Sequence, residues 1–188
     1  MERKERTDMR VVKTRRAIQT TFKEMICELD ADKITIKELT DRAEIHRKTF
    51  YLHYSSIEAL YEEMLQSILK DYLENLVEPV EQTDIEENSK QFFVYFAGQE
   101  KFVERLICNP SYRDFCNRLL ISVARYNKNL YAPISNMTPE KQRLILTVMI
   151  STALEFYRQW VADQKKVPVD EAANLLSKLT CNGVYGIL

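Results

Sequence analysis

Residues 35 to 54 read Thr35-Ile36-Lys37-Glu38-Leu39-Thr40-Asp41-Arg42-Ala43-Glu44-Ile45-His46-Arg47-Lys48-Thr49-Phe50-Tyr51-Leu52-His53-Tyr54, and this stretch decides the fold. Thr35-Ile36-Lys37-Glu38 has the form of a capping box, in which the Thr35 hydroxyl accepts from the Glu38 backbone N–H and the Glu38 carboxylate reaches back to Thr35. A helix is therefore predicted to start at Ile36. Ile36, Leu39 and Ala43 fall at i, i+3 and i+7 on one face, with Lys37, Asp41 and Arg42 off it, so this helix is short, about two turns. Glu44-Ile45-His46 then supplies a three-residue connection with one apolar plug. From Arg47 to Tyr54 helical spacing resumes, with Phe50 and Tyr54 inward and two cations, a hydroxyl and an aromatic ring outward. The unit is helix, turn, helix: a short helix braces a second whose outward face suits the major groove of DNA, which is wide enough to admit an α-helix.

Working outward, Val11, Val12, Ile18, Phe22, Met25, Ile26 and Leu29 recur mostly every three or four residues and predict a helix from Met9 to Leu29. Asp30-Ala31-Asp32-Lys33 ends it with residues that favour turns. Ser55-Ser56-Ile57-Glu58 reads as a second capping box, and an amphipathic helix follows as far as Pro79. The polar stretch Glu81 to Ser89 reads as a loop. Phe92 to Phe96 reads as helix in preference to strand, because no partner strand with turn signals is present. Further helices are expected at Glu100–Cys108, from Ser111 to about Leu130, from Pro139 to Gln164 behind a Thr138 N-cap, and at Glu171–Asn182 with Gly183 as the stop. With Gly 3 and Pro 5 in 188 residues, chain breakers are scarce. The class is all-α, about nine helices.

The formal net charge of -1 hides an uneven distribution. Residues 1–54 carry 13 Lys+Arg against 10 Asp+Glu, residues 55–100 carry 2 against 11, and residues 101–188 carry 12 against 7. A basic end beside an acidic middle fits nucleic-acid contact confined to the N-terminal part. Cys27, Cys108, Cys116 and Cys181 lack the C-x-x-C spacing of a zinc site and the density of a disulfide scaffold, which points to a reducing, cytoplasmic setting. His46 and His53 stand seven apart with no cysteine nearby, so no metal is expected. The charged N-terminus has no signal-peptide character, and the most apolar window, Leu144 to Leu154, falls short of the ~20 residues that span a bilayer. An enzyme is not expected: there is no glycine-rich phosphate loop, no Gly-x-Ser-x-Gly elbow and no metal-ligand cluster. No cofactor is expected either.

The segment from Thr35 to Tyr54 resembles the signature of the TetR family of transcriptional regulators. Thr14-Arg15-Arg16-Ala17-Ile18 with Phe22 is similar to the family's preceding helix, and Ile57-Glu58-Ala59-Leu60 stands where the family expects Lys-Glu-x-Leu. Residues 10 to 65 are well covered and the remainder by helical layout alone. Three positions depart: Glu44 where the family has a turn glycine, His46 where it has serine, and Ile57 where relatives carry a phosphate-touching lysine. The resemblance implies an N-terminal DNA-binding domain, residues 1–56, and a helical effector-binding and dimerisation domain, residues 57–188. It assigns base-edge contacts to Arg47, Lys48 and Thr49, and phosphate contacts to Thr35, Lys37, Tyr51 and His53. Each role has a chemical basis, since arginine can pair bidentately with guanine and a threonine methyl can meet that of thymine.

The resemblance further implies a homodimer formed by the last two long helices, with Leu144, Val148, Thr152, Trp160, Leu175 and Leu179 at the interface. It implies a small-molecule effector too. A cavity for it would be lined by Phe92, Tyr95, Phe96, Phe115, Tyr126, Phe156 and Tyr157, with Phe93 and Phe102 nearby. The partners expected are thus a double-stranded DNA operator, a second copy of the chain and an unidentified effector, with no membrane. The resemblance makes a repressor released from a near-palindromic operator the leading reading. The alternative is a helical protein–protein adaptor that has lost DNA binding, for which Ile57 and the net charge are the arguments.

Overall fold

The structure, a computed structural model, describes residues 2–75, 85–118 and 137–183, with side chains from Met9 in the first segment and from Glu86 in the second. Among the described residues there is no strand, and the chain folds as α1 (Glu2–Glu28), α2 (Ile36–Arg42), α3 (Arg47–Tyr51), α4 (Ile57–Glu74), α5 (Ile85–Ala97), α6 (Lys101–Cys108), α7 (residues 113–118), α8 (Pro139–Ala162) and α9 (Val169–Asn182). Short 3₁₀ turns at Ala31–Lys33 and Pro110–Tyr112 close the gaps after α1 and α6.

The all-α class is as the sequence predicts, although α1 starts at Glu2 and not Met9, and α4 ends at Glu74, short of Pro79. Three further differences have physical reasons. α5 begins at Ile85, so Glu86 and Glu87 sit in a first turn where the helix dipole favours acids, and Asn88 and Ser89 are buried instead of looping out. Ser56, not Ser55, caps α4, its Oγ accepting from the Ala59 backbone N–H at 3.2 Å. α3 is five residues long and ends at Tyr51, after which turn hydrogen bonds from His53 and Tyr54 to the Phe50 carbonyl carry the chain round. Gly183 ends α9 at φ 63, a left-handed conformation that glycine adopts without steric cost.

One apolar cluster runs through the molecule, from Ile18, Phe22, Met25 and Ile26 of α1 through Leu39, Phe50 and Tyr54 to Leu60, Phe93, Leu106, Tyr157 and Leu176. α1 packs on α2 and α6, α2 on α3, and α9 lies along both α5 and α8. Beyond shared apolar burial, the N-terminal unit is clamped by polar bonds at the end of α1. The Leu29 carbonyl accepts from the Tyr112 hydroxyl at 2.7 Å and from Arg105 at 3.3 Å, Asn109 donates to Asp30 at 2.8 Å, and the Ala31 N–H donates to Ser111 at 3.1 Å. Among the described residues no helix is long and apolar enough to cross a membrane.

Candidate nucleic-acid interface

The N-terminal three helices place α3 on the outside of the molecule by anchoring its inward side. Phe50 is fully buried, Tyr54 is 4% exposed, and their rings lie 5.7 Å apart. α2 forms where the capping signal places it: Thr35 Oγ1 accepts from the Glu38 N–H at 3.2 Å. The reciprocal arm expected of Glu38 goes elsewhere, because its carboxylate receives Arg42 Nε at 2.9 Å one turn along. The same guanidinium donates to Glu28 at 2.6 Å and so ties α2 to α1.

The turn between α2 and α3 is a Schellman motif. Ile45 N–H donates to the Thr40 carbonyl at 3.0 Å and Glu44 N–H to that of Asp41 at 3.3 Å, with Ile45 packed against the core as the accompanying apolar contact. This geometry puts Glu44 at φ 52, in the left-handed region that costs a side-chain-bearing residue about 1–2 kcal/mol. The substitution of glutamate for the usual turn glycine thus changes the energy of the turn and leaves its path intact. His46 occupies the N-cap of α3 but makes no side-chain cap bond, leaving the first N–H groups of that helix without the acceptor a serine would supply.

Outward from this scaffold, Arg47 and Lys48 are exposed and Thr49 is half-buried. Tyr51 is 49% exposed, and its ring lies 6.0 Å from the Arg47 guanidinium. His53 is half-buried, with its ring 6.4 Å from that of Tyr54, and Thr35 and Lys37 are exposed at the start of α2. Sequence reasoning passed over Leu52, which is 83% exposed. A signal for it was present, since Leu52 lies off the Phe50/Tyr54 spacing and therefore off the buried face.

The cations of this half divide into two groups. Arg15 and Arg42 are engaged in holding helices together, Arg15 with Glu63 of α4 and Arg42 with Glu28 and Glu38. Lys37, Arg47 and Lys48 have no ion-pair partner among the described residues, and neither do Arg10, Lys13 and Arg16 of α1. Behind α3, Glu63 gathers three donors: Arg15 with Nε at 3.2 Å and a closer second contact, Gln19, and the Tyr54 hydroxyl at 3.0 Å. Burial would raise the Glu63 pKa, but the bonds from Arg15, Tyr54 and Gln19 outweigh it and hold the carboxyl below its ordinary range.

The residues expected at a dimer interface do not all share one face. Leu144 is 70% exposed, Val148 is 65% exposed, and Thr152 continues the same outward row of α8; on α9 Leu175 is 36% exposed and Leu179 is half-buried. Trp160 is a correction. It is 6% exposed, edge-on to Phe93 at 5.2 Å, with its indole N–H donating to the Val167 carbonyl at 2.7 Å. The reason is helical phase: the outward row 144, 148, 152 continues to the exposed Gln159, whereas Trp160 joins the inward row of Leu146, Ile150, Ala153 and Tyr157.

The expected cavity aromatics are mostly in contact with other rings. Phe92 and Phe96 lie 4.7 Å apart, Tyr95 sits 5.1 Å from Phe96, Phe156 and Tyr157 flank Phe93, and Phe115 is 5.3 Å from Tyr61. Tyr126 lies outside the described residues.

Helical throughout its described residues, with a short bracing helix, a Schellman turn and an outward, cation-bearing α3, the chain has a fold of the TetR kind. The solved structures it resembles agree. A TetR transcriptional regulator from Streptococcus agalactiae 2603V superposes with a TM-score of 0.69 at 18% identity, covering 93% of this chain and 97% of that one. NalD, the secondary repressor of the MexAB-OprM multidrug efflux pump in Pseudomonas aeruginosa, superposes at 0.67 with 16% identity over 92% of this chain and 96% of its own. The fatty acid degradation regulator FadR from Bacillus halodurans does so at 0.65 with 17% identity over 91% and 96%. At these identities the likeness is one of fold. In sequence, 76 residues, 40% of this chain, are 37% identical to YxbF, an uncharacterized HTH-type transcriptional regulator of Bacillus subtilis (strain 168), and the match spans 20% of the length of that relative. No protein-family model matches the chain.

Proposed function

We propose that the protein is a sequence-specific DNA-binding transcriptional regulator, a repressor released from a near-palindromic operator by a small effector. Residues 1–56 read DNA, and residues 57–188 dimerise and receive the effector. The observation that carries this reading is that Arg47 and Lys48, outward on α3, and Lys37 at the start of α2 have no ion-pair partner among the described residues, whereas Arg42 of the bracing helix is paired with Glu28 and Glu38. Arg47, Lys48 and Thr49 are assigned to base edges, and Thr35, Lys37, Tyr51 and His53 to phosphates. The outward row of Leu144, Val148 and Thr152, with Leu175 and Leu179 of α9, is assigned to a homodimer. A two-fold pair would set its two α3 helices on half-sites about 34–36 Å apart, one turn of DNA.

Selection of bound duplexes from a random pool tests binding, symmetry and sequence preference together. The reading expects an inverted repeat. On the selected site Arg47→Ala should cost on the order of 1–3 kcal/mol and relax preference at one base position. Lys37→Ala should weaken all sequences alike and reduce the slope of log affinity against log salt by about one. A pool that yields no enriched duplex would favour the adaptor reading.

A further inference from the structure

Between α1, α4, the end of α5 and the start of α6 lies an open cleft of about 290 Å³, bordered by Gln19, Lys23, Met64, Ile68, Tyr95 and Phe102 and by the carboxylates of Glu63, Asp71 and Glu100. This volume sits at the lower edge of what small-molecule sites occupy. Of the aromatic residues that the sequence suggests for a cavity wall, Tyr95 and Phe102 are present here. Its apolar patch is formed by Leu60, Met64, Ile68 and Phe102, and the rest of the lining is polar or charged, so the cleft offers one apolar side and one charged side to a ligand.

Among the described residues, one acid of the cleft has no cationic partner. Arg15 answers Glu63, and Lys23 answers Glu100 at 3.3 Å while its ammonium stands 4.4 Å from the centre of the Phe102 ring. The protein's own lysine thus shows which chemistry this wall accommodates: an ammonium held between an aromatic face and a carboxylate. Along α4 a second acid meets an aromatic residue, here through the ring's hydroxyl and without a cation. Asp71 accepts from the Tyr95 hydroxyl at 2.7 Å, and among the described residues no lysine or arginine pairs with it.

We propose that the cleft binds a small organic monocation, its ammonium at Asp71 beside Tyr95 and its apolar body against Met64, Ile68 and Phe102. An anion of the same shape would face an unanswered carboxylate, and a neutral molecule would forgo the charge pairing. Gln19 and Glu63, which border the cleft, are the same groups that bond Tyr54 behind α3, so occupancy adjoins the support of the DNA-reading helix. That this ligand is the effector rests on the proposed regulatory role; that the cleft binds an ammonium does not.

Titration calorimetry of the full chain without DNA separates the two. The probes are phenethylammonium, its neutral counterpart 2-phenylethanol and the anion 3-phenylpropionate. The cation should bind at least about tenfold more tightly than either of the others, and Asp71→Asn, which keeps an acceptor for Tyr95, should remove that advantage. Ser67→Phe, which fills the cleft without altering its charge, should abolish binding of the cation, and this variant decides the matter if Asp71→Asn does not fold. Equal affinity for all three probes, an unchanged preference in Asp71→Asn, or no saturable binding of phenethylammonium would overturn the proposal. DNA affinity measured separately, with and without phenethylammonium, tests the regulatory role alone: binding without any change in DNA affinity leaves the site standing and removes it as the effector site.

Discussion

The Tyr54 hydroxyl donates to Glu63 at 3.0 Å, joining the residue that ends the helix-turn-helix to the first half of α4. Arg15 and Gln19 of α1 converge on the same carboxylate, so three segments meet at one group of which little is exposed.

The first prediction concerns this junction. Tyr54→Phe and Glu63→Gln should each destabilise the fold by about 1–2 kcal/mol, and the double variant by less than their sum, with a coupling on the order of 1 kcal/mol. Because the folded-state pKa of Glu63 is depressed, its contribution is fully present above the ordinary carboxylate range. It is lost as pH falls from that range through the lowered value. Urea melts across mildly to strongly acidic pH should show a shallower loss of stability for Glu63→Gln than for the native chain. Parallel curves would mean that the carboxylate contributes nothing there.

The second prediction follows from the turn. Glu44 sits at φ 52 and receives no steric relief from the Schellman bonds around it. Glu44→Gly removes the left-handed penalty of about 1–2 kcal/mol but raises unfolded-chain entropy by roughly 0.4–1 kcal/mol, for a net gain of about 0.5–1 kcal/mol. Thermal melts should therefore move up by roughly 1–4 °C, given about 2–4 °C per kcal/mol for a chain of this size. The same change removes a carboxylate beside Lys37 and Arg47, so DNA affinity at fixed salt should rise as well. A variant less stable than the native chain would show that Glu44 has a compensating contact.

A third expectation concerns Leu52. At 83% exposure it contributes little to the core, so Leu52→Ser should leave the melting temperature within about 1–2 °C of the native value, as a surface change within roughly 0.5 kcal/mol does. Placed one residue beyond α3, its side chain is available to the thymine methyl groups of a major groove. DNA affinity should drop several-fold on a selected site containing thymine at the contacted position and not on one lacking it. Loss of stability with unchanged DNA binding would contradict this assignment.

The helix-turn-helix was legible because local rules fix each of its parts: a cap at Thr35, apolar residues at helical spacing, and Phe50 and Tyr54 as an inward pair four residues apart. What escaped depends on tertiary competition. Glu38 had two possible partners, the Thr35 N–H and Arg42, and only the folded geometry chose the second. Asn88 and Ser89 looked like loop residues because polarity is read locally, whereas their burial is set by the helices packed over α5. The aromatic run of α5 announced a core but not whether its rings enclose a void or fill one. Trp160 was misplaced by reading apolar residues of α8 as one set, when the 3.6-residue period separates them into two rows.

The fourth prediction rests on the outer of those rows. Leu144 and Val148 leave large apolar side chains 70% and 65% in water on α8, and Leu175 of α9 adds a third. Covering side chains of this kind is worth about 1.5–3 kcal/mol each at full burial, and a two-fold interface counts every residue twice. Val148→Glu therefore removes an apolar contact from both copies and sets two carboxylates against the same seam, where like charges cost several kcal/mol. Sedimentation at micromolar concentration should find the native chain dimeric and Val148→Glu monomeric, with far-UV circular dichroism unchanged because the position lies outside the monomer core. Since a dimer reads two half-sites at once, the monomeric variant should also lose most of its affinity for an inverted repeat while keeping that for a single half-site. A Val148→Glu protein that stays dimeric would move the interface off this row of α8 altogether.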